Sequence, residues 1–82
     1  MRLDKYLKLS RIVKRRSIAN ELCSAGKVSV NGKNAKASHE VKVGDILGLK
    51  ITGTEKQFRI IKISEHVPKD VSASLFEVIN PA

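Results

Sequence analysis

A chain of 82 residues with a single cysteine and a net charge of +8 is too short for a deep cleft between domains, and it can close no internal disulfide or multi-cysteine metal site. No apolar run approaches the ~18 residues of a membrane-spanning helix. The charged start, MRLDKYLKLSR, is unlike a secretory signal, so a cytoplasmic protein is expected. The charge is also segregated. Residues 1–36 hold ten Lys/Arg against two acids, whereas residues 37–82 hold six of each. Scattered charge would serve solubility equally well, so this asymmetry points to a polyanionic partner.

The first element is a short amphipathic helix from Arg2 to about Leu9, with Leu3, Tyr6 and Leu7 on one face at i, i+3, i+4. Ser10 to Val13 ends or bends it, with Ile12 and Val13 buried in the connection. A second helix is expected from about Ile18 to Ala25. Ser17 would be its N-cap, Ile18, Ala19, Leu22 and Cys23 its apolar stripe, and Gly26 its left-handed C-terminal residue.

The period then changes to two. Val28 and Val30 alternate with Lys27 and Ser29 as a strand, and Asn31-Gly32 is a type I′ hairpin signal. A return strand should cover about Lys33–Ala37. Val43-Gly44-Asp45 reads as a turn before a strand from Ile46 to Thr52, and Gly53-Thr54 as a turn before a strand from about Lys56 to Ser64. Residues 65–74 read as a loop, and Leu75 to Ile79 as a last strand. The fold class is therefore α+β, with two short helices packed on a small, mostly antiparallel sheet. We divide the chain into a first unit, 1–64, and a C-terminal extension, 65–82, within the same compact body.

Arg2-Leu3-Asp4, Lys14-Arg15-Arg16-Ser17, Gly26-Lys27-Val28, Val30-Asn31-Gly32 and the stretch VKVGDIL (41–47) together resemble the RNA-binding domain named after small-subunit ribosomal protein S-four, the alpha-L motif. The resemblance covers about the first 50 residues and implies that fold. The chain looks like the short stand-alone branch of the family, which includes a heat-shock ribosome-associated protein and a smaller factor of ribosome-associated quality control. That likeness implies binding to ribosomal RNA, and to tRNA, on large ribosomal subunits that carry stalled nascent chains. It also implies work alongside a factor that tails those chains.

A helix N-terminus favours anions, yet Lys14, Arg15 and Arg16 stand directly before one, where they repel each other and the dipole until a phosphate sits among them. Arg2 and Lys5 can flank that groove and Arg11 can enter it from the bend. Lys27, Lys33 and Lys36 extend it along the hairpin, and Asn31-Gly32 lets backbone approach RNA. Asp4 reads as a helix-start acid that orients a nearby arginine.

With only three aromatic residues, the patch suits the shape and phosphates of structured RNA better than base stacking. About six phosphate contacts would give log K against log salt a slope of roughly −4 to −5. His39 and His66 lack partners at ligand or triad spacing, and Cys23 reads as core. Neither a cofactor nor a metal is expected, and no enzyme. One alternative is an accessory module that targets an RNA-modifying enzyme or a tRNA synthetase. Binding to anionic membranes would need an apolar face that the first helix is too short to supply.

Overall fold

The computed structural model describes residues 1–51, 53–64 and 75–79. The helices are α1, Leu3–Leu9, and α2, Arg16–Ser24; the strands are β1, Val28–Val30, β2, Lys33–Asn34, β3, Ile46–Ile51, β4, Thr54–Ile60, and β5, Phe76–Ile79. The sheet order is β2-β1-β3-β4-β5, and every pairing is antiparallel. Two helices packed on this sheet make the α+β architecture expected from the pattern, in the alpha-L arrangement that the resemblance implied.

Alternation along the strands decides which face the helices cover. Val28 and Val30 of β1, Leu47 and Leu49 of β3, and Phe58 and Ile60 of β4 are buried. They meet Leu3, Tyr6 and Leu7 of α1 and Ala19 and Cys23 of α2 in one core. Val13 is buried and Ile12 half-buried in the connection between the helices. Phe58 and Phe76 meet edge to face, with ring centroids 5.3 Å apart, the geometry that aromatic quadrupoles favour.

The turns follow their residues. Asn31 and Gly32 have φ of 53° and 85°, as a type I′ hairpin requires. At the end of α2, Gly26 lies at φ 72°. Its amide donates to the Cys23 carbonyl, and that of Lys27 to the Leu22 carbonyl. This pair of bonds satisfies the last orphan carbonyls of the helix in a Schellman arrangement.

Several boundaries differ from expectation. α2 begins at Arg16, so Ser17 lies inside it. The capping position belongs to Arg15, which is extended at φ −130° and makes no side-chain cap. Ile18 points outward, 41% exposed, and Ala19 and Cys23 form the buried stripe. β2 ends at Asn34, one residue before Ala35, whose amide still donates to the Val28 carbonyl, and Ala35 and Ala37 are buried in the core. Beyond them the 37–41 segment pairs with the N-terminus. Leu3 and Asp4 donate their amides to the His39 and Ala37 carbonyls, and Val41 donates to that of Met1.

β4 starts at Thr54, directly after Gly53, and ends at Ile60 rather than Ser64. The amides of Ile61 and Lys62 both turn to the Leu75 carbonyl, which draws the chain out of the ladder. The loop expected over 65–74 and the end of the strand expected to reach Thr52 lie outside the described residues.

Candidate nucleic-acid interface

The N-terminal pairing with residues 37–41 places Asp4 in the first turn of α1, where it is 1% exposed. A carboxylate so buried must be paired. Arg2 meets it with a planar fork, Nε to Oδ1 at 3.2 Å and Nη2 to Oδ2 at 3.4 Å. Arg16 meets it from α2, with Nε 3.3 Å from Oδ2 and Nη2 donating to Oδ1 at 3.5 Å. Asn20 Nδ2 donates to Oδ2 at 3.3 Å, and the Lys5 amide to Oδ1 at 2.8 Å.

Burial by itself would raise the Asp4 pKa. The hydrogen bond from Arg16, that from the Lys5 amide and the charges of Arg16 and Arg2 outweigh it, and the net direction is down. Asp4 is therefore ionised at neutral pH, and two guanidinium groups share one carboxylate. Both side chains remain about half exposed, 52% for Arg2 and 48% for Arg16.

The connection from α1 to α2 carries Arg11, Lys14 and Arg15, all exposed. Arg11 sits at φ 63°, a left-handed conformation that disfavours any residue with a Cβ. Its amide closes the end of α1 on the Lys8 carbonyl, at the position where glycine is the usual occupant. The first turn of α2 has no acidic residue. Lys14 and Arg15 thus stand before the positive end of a helix with no carboxylate partner among the described residues.

A cleft that no local sequence pattern marks lies between α2 and the 36–38 segment. Its lining joins Arg2 and Lys36 to Asn20, Ser24 and Ser38. Two cations, two hydroxyls and an amide on its lining give it the character of an anion seat. A possible signal was the run of small polar residues at 20, 24 and 38, but only the fold brings them together.

The hairpin residues are more dispersed than expected. Lys27 is exposed just beyond α2. Lys33 lines a second cleft, with Glu40 and Asp45 on its walls, so its surroundings are not purely cationic. Lys5 is half-buried on α1. The Asn31 amide is occupied internally. Its Nδ2 donates to Asp45 at 3.1 Å, and its Oδ1 accepts from the Ile46 amide at 3.0 Å. The side chain locks the hairpin turn to the 42–45 turn, and the Asn31 backbone amide donates to the Ile46 carbonyl, leaving the backbone carbonyl as what Asn31 can offer a ligand.

Cys23 is buried, and its thiol is pushed up by burial and by the nearby Asp4 charge. His39 is exposed, and His66 lies outside the described residues. Among the described residues no group of three His, Cys, Asp or Glu could hold a metal, and no helix is long and apolar enough to cross a membrane.

Comparison with known proteins bears on the same residues. Residues 1–47, which carry both helices, the first hairpin and the Asp4 node, match the S4 domain family. The chain is 44% identical over 78 residues to the RQC P-site tRNA stabilizing factor of Halalkalibacterium halodurans, covering 95% of this chain and 89% of that one. It is 38% identical over 80 residues to the protein of the same name from Streptococcus pneumoniae, covering 98% and 91%. Among solved structures, the trimeric Heat Shock Protein 15 of Vibrio cholerae superposes with a TM-score of 0.87 at 35% identity, over 96% of this chain and 81% of that one. By sequence and by fold, the chain belongs to the S4 domain family.

Proposed function

We propose that this chain is a non-enzymatic, cytoplasmic RNA-binding protein that docks on the large ribosomal subunit. There it contacts ribosomal RNA and tRNA during quality control of stalled nascent chains, alongside a factor that tails them. The observation that carries this reading is the cation-rich approach to α2. Arg2 and Arg16 share one carboxylate, while Arg11, Lys14 and Arg15 lack acidic partners among the described residues. Such a cluster is relieved by a backbone phosphate. Membership in the S4 domain family and the names of the relatives, which refer to a P-site tRNA, support the choice of partner.

The RNA-contacting set is Arg2, Lys5, Arg11, Lys14, Arg15, Arg16, Lys27, Lys33 and Lys36, with backbone at Asn31. Residues 1–64 form the binding unit, and 65–82 act with it as one body, a reading supported by the pairing of β5 with β4. Co-sedimentation with purified large subunits tests the proposal. The wild-type chain should pellet with them in a salt-dependent way. Arg2→Ala and Arg16→Ala should each reduce pelleting while keeping a folded circular-dichroism spectrum. Unchanged pelleting of both variants would show that the site lies elsewhere.

A further inference from the structure

Asp4 is ionised, yet it is buried beneath Arg2, Arg16 and Asn20, so a ligand on that face meets the arginines rather than the carboxylate. Six contacts from four residues saturate its two oxygens. Each arginine turns two nitrogens toward the carboxylate while its side chain stays about half exposed, and a guanidinium has five N–H donors to share. We propose that Asp4 is a positioning residue for RNA: it holds Arg2 on α1 and Arg16 on α2 in one fixed arrangement, and this order outweighs the negative charge it adds to the face. The inference rests on the RNA-binding reading above and deepens it.

Two effects oppose each other here. Neutralising Asp4 raises the net charge by one, which by Coulomb attraction alone should tighten binding to a polyanion and steepen its salt dependence. It also frees two long side chains, whose rotamer freedom must then be lost again on binding. The repulsion between two guanidinium groups returns as well. The Asp4 charge is already compensated by two adjacent cations, so its removal changes the distant field little. The geometric loss acts at the contact itself and should prevail.

The test uses Asp4→Asn, which keeps the shape and removes the charge, in binding titrations of the full chain to large ribosomal subunits at several salt concentrations. The expected result is about tenfold weaker affinity and a log K against log salt slope shallower by about one. Affinity equal to or tighter than wild type overturns the proposal. The same substitution in an Arg16→Ala background, where Asp4 still pairs with Arg2 but no longer joins two arginines, should cost clearly less than in the wild-type chain. An equal loss there means Asp4 acts through the fold and also overturns it.

Should Asp4→Asn not fold, Arg16→Lys and Arg11→Lys decide. Both keep their charge and lose a planar fork, but only Arg16 has Asp4 to grip. A larger loss at position 16 supports the proposal, and an equal or smaller one overturns it. If wild-type chain does not bind the subunits at all, the RNA-binding reading fails, an outcome separate from each of these.

Discussion

Tyr6 is fully buried, and its hydroxyl donates to the Leu75 carbonyl at 2.8 Å, joining α1 to the start of β5 across 69 residues of chain. Its place in the core was readable from the i, i+3, i+4 spacing with Leu3 and Leu7. Its partner was not, because nothing local at Leu75 marks a carbonyl that needs a donor. Asp4 was half-readable in the same way. A helix-start acid near arginines invites a pairing, but only the docking of α2 reveals that Arg16 and Asn20 complete it.

Burial pushes the Tyr6 pKa up to about 12, from 10.0 for a free phenol. The fold thus favours the neutral ring. That stabilisation is whole below pH 10 and is lost as pH rises from there toward 12. The chain has one tyrosine and no tryptophan, so tyrosinate absorbance reports this residue alone. It should appear only above pH 10, together with loss of the circular-dichroism signal. Tyrosinate that forms near pH 10 in a folded chain would contradict the burial. Tyr6→Phe should cost only about 1 kcal/mol in denaturant melts, because the Leu75 carbonyl keeps the Ile61 amide at 2.9 Å.

The two ends of α2 were not equally legible. Its C-terminus could be read from Gly26, since a left-handed residue with two satisfied carbonyls is what glycine supplies there. Its N-terminus was not legible. Ser17 is the residue type that caps helices, but the helix starts before it and puts Arg15 in the capping position. Arg11 breaks the same rule at the end of α1 by holding a left-handed conformation without being glycine. Local rules fail most often where function is served at a cost to stability, and both exceptions are exposed arginines on one connection.

Arg15→Ser puts a side-chain acceptor where α2 lacks one and removes a cation from the positive end of the helix. It should raise stability by about 1 kcal/mol, or roughly 4–8 °C in Tm for a domain of this size. The same change should weaken binding to large subunits and make the salt slope shallower by about one. A variant that is more stable and binds as well as wild type would show that Arg15 has no part in the interface.

At the scale of the whole molecule, the sequence divides into a basic first half and a neutral second half, and the fold gives that division a shape. The basic half builds both helices and the first hairpin, and β3 to β5 continue the sheet behind them. Chain order alone could not say that residues 37–41 return to pair with the N-terminus, or that Lys36 would share a cleft with Arg2. Such contacts depend on tertiary closure, which leaves no periodic trace.

If position rather than total charge governs binding, cations on the far side should be dispensable. The molecule measures 30 × 29 × 21 Å, while salt screens exposed charges beyond about 8 Å at physiological ionic strength. Arg59 lies on β4 between buried Phe58 and Ile60, so it points away from the core, and its Nη1 is 3.7 Å from the Glu77 carboxylate on β5. Lys14 lies on the connection before α2. Arg59→Ala and Lys14→Ala lower the net charge equally. In salt titrations against large subunits, the first should bind within about twofold of wild type, because its charge is screened and already paired. The second should bind more weakly, with a slope shallower by about one. Equal losses in the two variants would mean that the RNA responds to the summed charge of the molecule, and the face built by α1, α2 and the first hairpin would lose its claim to be the interface.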